Sequence, residues 1–238
     1  MRILICLALA AALSAPAAAQ TRNFGVSGFD RMRVDGPFRV TLTTGVAPFA
    51  RASGSTAALD RVSIAMQGRT LVVKADRSAW GGFPGADAGP VEISIGTHDL
   101  LSAQVNGSGS LAIDKLAGPS FELGVQGSGA ASVGELRVDA LKVGIAGSGS
   151  ARLAGSAASL SAVIRGLSTL DAAALEAKDA TIGAEGAATN SSHVTGTAKI
   201  EAQGPTAITL GGTPACISRL AGSSSVTGCR VSGGMFGR

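Results

Sequence analysis

A short glycine motif recurs along this sequence at an almost constant spacing. It reads Val105-Asn-Gly-Ser-Gly-Ser110, then Val125-Gln-Gly-Ser-Gly-Ala130, then Ile145-Ala-Gly-Ser-Gly-Ser150, and degraded copies follow. Successive copies are 18 to 20 residues apart, and their first glycines are Gly107, Gly127, Gly147, Gly166, Gly186, Gly204 and Gly222. A period this regular predicts one supersecondary unit that is stacked on itself.

The residues that precede each repeat glycine alternate between apolar and polar. The positions two, four and six before it are mostly apolar, from Leu101 in the first copy to Leu220 in the last. This alternation predicts strands with one buried face, and each copy is too short to hold a helix as well. No strand can bury its apolar face alone, so successive turns must stack in parallel and in register. The sequence therefore predicts an all-β, single-stranded parallel β-helix, or solenoid, of about seven rungs with glycine at its corners.

The remaining chain divides around these repeats. Residues 24–74 alternate in the same way and are predicted to form N-terminal strands, and residues 75–90 are rich in Gly and Pro and predict a protruding loop. Residues 91–230 then hold the repeat rungs, and 231–238 form a tail. Asn190 and Ser192 fall at core positions, so the core is expected to thin towards the C-terminus. We expect residues 20–238 to be one domain.

The N-terminus has the pattern of an export signal. Met1-Arg2 is followed by an apolar run and then by Ala17-Ala18-Ala19, which is typical of a signal peptide cleaved after residue 19. The run is too short to span a bilayer as a helix. We therefore expect residues 1–19 to direct export to the periplasm, cell surface or medium, and the mature chain to have no transmembrane segment.

Cys216 and Cys229 are the two cysteines that remain after residue 19. In an oxidising compartment such a pair predicts a disulfide, although two free thiols remain the alternative. The bond would tie down the last repeat and would contribute about 3 kcal/mol for a loop of this size.

Charge and histidine content exclude several kinds of site. Beyond Arg2 the chain has 19 basic and 16 acidic residues without a run of like charges, so no nucleic-acid partner is expected. His98 and His193 are too far apart in the repeat to share a metal ion. We predict no catalytic residue, no metal and no cofactor.

Two pairs of residues are candidates for ligand contact. Arg165 and Glu185 are neighbours in an outward column, where they could contact a glycan or simply pair with each other. Trp80 and Phe83 lie in the Gly-rich loop, where they could stack on a sugar or fold back over the solenoid.

The opening residues Val26-Ser-Gly-Phe29-Asp-Arg31 and Gly36-Pro-Phe38-Arg-Val40, followed by the Gly-Ser-Gly repeats, resemble a known bacterial family. That family is called putative auto-transporter adhesin, head GIN domain, and the resemblance covers about residues 24 to 230. It implies a parallel β-helix-like solenoid that is exported from the cytoplasm. It implies no catalytic residues.

These observations favour an exported, non-enzymatic solenoid of the cell envelope, acting as a scaffold or an adhesin-like binding surface. The alternative is a β-helix that binds or acts on glycans. Self-assembly through exposed solenoid ends is a third hypothesis. The partner is expected to be an envelope protein or a glycan, of unknown identity.

Overall fold

The computed structural model describes residues 20–76 and 89–230, which fold as the predicted all-β parallel solenoid, with about six turns where the repeat predicted about seven rungs. The predicted signal peptide, most of the predicted loop and the predicted tail lie outside these ranges. The elements in chain order are β1 (Gln20–Phe24), β2 (Arg31–Asp35), β3 (Arg39–Thr44), β4 (Phe49–Gly54), α1 (Thr56–Leu59), β5 (Val62–Gln67), β6 (Thr70–Ala75), β7 (Glu92–Thr97), β8 (Ser102–Gly107), β9 (Ser110–Gly127), β10 (Ala130–Gly147), β11 (Ser150–Gly166), β12 (Thr169–Glu185), β13 (Thr189–Gln203), β14 (Ala207–Gly211), β15 (Ala215–Ala221) and β16 (Ser225–Thr227).

Strands β8 to β16 stack in parallel, and β9 to β13 each supply almost a whole turn. The pairing of β9 with β10 skips positions 134 and 139, which divide each turn into three straight segments. We call the surfaces that these segments build face A (130–133 and its equivalents), face B (135–138) and face C (140–146). Inward side chains form continuous columns: Ile145, for example, lies between Val125 and Ile164, and all three are buried.

The corner between faces C and A carries the repeat glycines. All seven have positive φ, between +74° and +109°. The corners stack directly, because the Ser148 amide donates to the carbonyl of Gly127 at 2.9 Å. A Cβ at position 127 would lie 2.7 Å from the carbonyl oxygen of Gly107, so glycine is required there for space as well as for conformation.

The second glycine of the motif is replaced in the four later corners, and at two of them side-chain hydrogen bonds accompany the replacement. The hydroxyl of Ser168 donates to the carbonyls of Arg165 (2.9 Å) and Gly147 (3.2 Å). Ser224 makes the equivalent bonds in the last corner. At these two corners the serine hydroxyl satisfies backbone carbonyls and so supports the turn where Gly-Ser-Gly is lost.

The N-terminal strands do not stack in chain order. Strands β2 and β3 pair in parallel with β8 and β9, so they form a turn of the solenoid itself. The later strands β6 and β7 lie on the far side of β2 and β3. The chain then crosses back through residues 98–101 to enter β8. Antiparallel strands β5, β4 and β1 cover this end and so protect its edge.

Two local details differ from the predicted pattern. Leu101, predicted to face inward, is 38% exposed, because it belongs to the crossover before β8 and Leu100 fills the core there instead. The region predicted as strands also contains the one-turn helix α1. The Ala58 amide in its first turn donates to the hydroxyl oxygen of Ser55 at 3.1 Å, which caps the helix.

The core becomes more polar towards the C-terminus, as Asn190 and Ser192 indicated. Both are buried, and the Ser192 hydroxyl donates to the Asn190 side-chain oxygen at 2.9 Å. In the last turn Ser218 and Leu220 are exposed although they continue inward columns, because no further described strand stacks on them. The predicted disulfide between Cys216 and Cys229 closes this turn.

Removing the disulfide should loosen the last turn alone. In a solenoid each turn contacts only its neighbours, so the Cys216→Ser/Cys229→Ser variant should lose about 3 kcal/mol of local stability in β15 and β16. Amide hydrogen exchange should show faster exchange there and unchanged protection in β10 to β12. Uniformly faster exchange along the whole ladder would contradict this prediction.

Glycines of the corner and of the strand should respond oppositely to substitution. Gly127→Ala should destabilise the protein by at least about 1–2 kcal/mol, because alanine at positive φ is strained and its Cβ has no room. Gly144 lies in a strand, and a Cβ at that position would have no heavy atom within 4 Å. Gly144→Thr should therefore be neutral or stabilising by up to about 1 kcal/mol. Urea midpoints measure both effects, and equal losses would refute the distinction.

Candidate binding face

Face C presents three outward columns of side chains, which the strand register defines. The first column contains, in order, Thr70, Arg31, Ser102, Glu122, Lys142, Ser161, Thr181, Lys199 and Ile217. The middle column contains Arg33, Gln104, Gly124, Gly144, Val163, Gly183, Glu201 and Arg219, and it begins in β6 with Val72, which is buried. The third contains Lys74, Asp35, Asn106, Gln126, Ala146, Arg165, Glu185, Gln203 and Ala221.

Glycine in the middle column leaves a shallow depression on face C. Gly124, Gly144 and Gly183 have no positive φ, and added Cβ atoms there would meet nothing closer than 3.4 Å. The fold itself therefore does not demand glycine at these positions, unlike at the corners. The depression has a volume of about 350 Å³, with Gly124 and Gly144 on its floor and Arg165 at its rim.

A larger depression of about 560 Å³ adjoins the first and shares Gln104, Glu122 and Lys142 with it. It lies where the crossover 98–101 enters β8. Leu101 and Arg31 line it together with residues of β9 and β10. Face C therefore carries one continuous concave surface over several turns.

Arg165 and Glu185 meet at the edge of this surface. Their strands are in register, and the guanidinium Nε lies 3.1 Å from a carboxylate oxygen. Both side chains are more than half exposed, so the pair contributes little to stability. The same two strands carry a matching pair on face A, Arg152 and Asp171, at 3.0 Å.

The remaining predictions concern the loop residues, a metal site and membrane segments. Trp80 and Phe83 lie outside the described residues. Within residues 20–76 and 89–230, no group of three His, Cys, Asp or Glu side chains is placed to hold a metal ion. In the same ranges no helix has the length and apolar character needed to cross a membrane.

Arg31, Glu122 and Lys142 lie in one column of the same face, which was not predicted from the sequence. Glu122 and Lys142 occupy the same place in consecutive repeats, and alignment of the outward columns would have found them. Arg31 could not be found in this way, because β2 stacks on β8 across about 70 residues of intervening chain. The strand glycines 124, 144 and 183 follow the same repeat, so their spacing alone does not distinguish them from the corner glycines.

The described residues define the class of protein: a parallel β-solenoid whose N-terminal end is covered by antiparallel strands. The chain belongs to the family described as putative auto-transporter adhesin, head GIN domain, whose sequence profile matches residues 28–214. This confirms the resemblance seen in the sequence. No protein of curated function matches the chain.

Solved structures share the fold. A putative adhesin from Bacteroides fragilis superposes with a TM-score of 0.74 at 18% identity, over 89% of this chain and 96% of that one. A putative lipid binding protein from Parabacteroides distasonis gives 0.66 at 19% identity, over 87% and 95%. A putative adhesin from Parabacteroides merdae gives 0.66 at 18% identity, over 87% and 95%. At these identities the similarity establishes the fold alone.

One carboxylate near a corner has a perturbed pKa. The Thr197 hydroxyl and then the Thr197 amide donate to the same oxygen of Asp179, and these bonds hold the pKa of the carboxyl below its usual value. Because the folded pKa is lowered, the stabilisation is present above the pKa of the unfolded chain. It is lost as the pH falls through the folded pKa.

Thr197→Val should therefore raise the pKa of Asp179 towards its usual value. The hydroxyl donor is removed while the amide donor remains, so the rise should be partial. Carboxylate ¹³C chemical shifts followed against pH measure it. Thr181→Val is the control, since Thr181 lies on the same strand as Asp179 without bonding to it, and an equal rise in both variants would contradict the assignment.

Proposed function

We propose that this protein is an exported, non-enzymatic solenoid of the cell envelope that serves as a scaffold or an adhesin-like binding surface. The observation that carries the proposal is the ladder itself, in which stacked turns present in-register outward columns over a rigid core. Such a surface can bind an extended partner along its length. Membership of a family described as adhesins agrees with this role.

Export is supported by two independent features. The first residues have the pattern of a signal peptide, and the bond between Cys216 and Cys229 is of a kind that persists in oxidising compartments. We therefore infer a periplasmic or extracellular location. The disulfide would preserve the exposed last turn in such surroundings.

The ion pairs that charged side chains of face C form with each other support a binding role rather than a catalytic one. Arg165 and Glu185, the sharpest candidates for glycan chemistry, neutralise each other across adjacent strands. Arg33 pairs with Asp35, two residues along its own strand, at 3.0 Å. Charged side chains that are engaged with each other are not poised to transfer protons, which favours a binding role over catalysis at this face.

The alternative function is binding of glycans, or action on them, at the same face. The observation that favours it is the glycine floor, since glycine inside a strand often marks the close approach of another molecule. The polar side chains around this floor, such as Gln126 and Arg165, could donate hydrogen bonds to sugar hydroxyls. On this hypothesis the pair Arg165–Glu185 opens to contact the ligand.

Purified residues 20–238 with the disulfide intact should bind an envelope component without turning it over. A glycan array and cell-wall pull-downs measure binding, and assays for new reducing ends measure turnover. Reproducible cleavage of a polysaccharide would refute the non-enzymatic proposal.

If the partner is a glycan on face C, Arg165→Ala should weaken binding about fivefold or more, which corresponds to about 1 kcal/mol. Arg152→Ala is the matched control, because it breaks an equivalent pair between the same two strands on face A. Equal affinities of the two variants would remove Arg165 from the site. The scaffold role would remain.

A further inference from the structure

The positive charge of this protein is concentrated on face C. The three outward columns contain seven basic and four acidic residues, a net charge of +3. Residues 20–238 as a whole also have a net charge of +3, from 19 basic and 16 acidic side chains. The other residues of 20–238 therefore balance to zero, and the net positive charge of the columns favours anionic ligands at face C.

Ion pairing leaves this charge unevenly distributed within face C. Arg33, Arg165 and Arg219 each have a carboxylate partner within 4 Å. Arg31 and Lys142 have neither an ion pair nor a hydrogen bond to another described side chain. Both line the larger depression. A cation without a partner at a concave surface is available to a ligand.

The depression arises from the topology of the fold. From β9 onward the chain enters face C from face B, but β8 is entered from the crossover 98–101 instead. Backbone hydrogen bonds hold this crossover, because the Leu101 amide donates to the carbonyl of Asp30 at 2.7 Å and the Leu101 carbonyl accepts from the amide of Glu122 at 3.0 Å. The partly exposed Leu101 side chain is thereby fixed beside the depression.

We infer that this depression binds an acidic glycan, with Arg31 and Lys142 contacting its carboxylate or phosphate groups. The two cations lie three turns apart in the first column, about 14 Å at the usual strand spacing. An oligosaccharide with repeated acidic groups spans that distance, whereas a single small anion does not. Ser102, Ser120 and Gln104 offer hydrogen bonds to sugar hydroxyls, and Leu101 offers an apolar contact to a sugar ring.

Glu122 lies between the two cations in the same column. Its carboxylate repels an anionic ligand and so limits the affinity. This arrangement gives the inference a test by gain of binding, because removal of the carboxylate should strengthen binding of an acidic glycan. A misfolded variant would not show such a gain.

The inference rests on the proposed binding function and specifies its ligand class. The probes are oligogalacturonides for carboxylate, phosphomannan fragments for phosphate, and dextran of equal length as the neutral reference. Titration calorimetry on residues 20–238 should show binding to at least one acidic probe, weaker at high salt, and none to dextran.

Two double variants that each remove two positive charges test the site, and a single variant tests the effect of Glu122. Arg31→Gln/Lys142→Gln should raise the Kd about tenfold, and Glu122→Gln should lower it about threefold. Arg39→Gln/Lys115→Gln is the control: it removes two exposed cations outside face C, one on face A and one on face B. Its Kd should remain within about twofold of that of the unmodified protein.

Several results would overturn the inference. Equal weakening by the two double variants would show attraction by net charge alone. Failure of both acidic probes to bind, or binding of dextran with unchanged affinity in the Arg31/Lys142 variant, would remove the acidic-glycan site while leaving the scaffold proposal intact. Cleavage of a probe would instead refute the non-enzymatic function, so the two failures are distinguishable.

Discussion

Backbone stacking at the glycine corners is the constraint on which the rest of this solenoid depends. The amides of Ser128 and Ser148 donate to the carbonyls of Gly107 and Gly127, the corner glycines one turn earlier, at 3.0 and 2.9 Å. These bonds require backbone contact too close for a side chain, and the positive φ there excludes most other residues. Once corners are stacked, the strands on either side have only one register, and each apolar side chain falls above its equivalent. The alignment of the core side chains therefore follows from the stacking of the corners.

A stacked core of this kind leaves two ends with unpaired strand edges, and the two ends are stabilised in different ways. At the N-terminal end antiparallel strands complete the hydrogen bonds of the outer turn, as β5 does for β6. At the C-terminal end the last described turn is held by hydrogen bonds to β13 and β14 and by the Cys216–Cys229 bond. Because interactions in a solenoid reach only neighbouring turns, each end stabilises itself locally.

A ladder whose turns share one inward pattern leaves its outward columns free to vary. On face A the outward residues are mostly small and hydroxylated or charged in balance, whereas face C combines glycine, unpaired cations and a crossover that opens the surface. Concavity and unbalanced charge coincide on face C alone among the three described faces. That coincidence is the physical basis for placing ligand binding there.

The repeat in the sequence by itself determined the strand period, the parallel register, the inward columns and the corners, because these depend on residues one turn apart. Arg165 and Glu185 were placed together for the same reason. The sequence also indicated the disulfide, since only two cysteines follow residue 19. Tertiary structure alone decided that β2 and β3 enter the stack ahead of β8, since no repeat relates them to it. The placement of Arg31 in one column with Glu122 and Lys142, and the exposure of Leu101, follow from that long-range pairing.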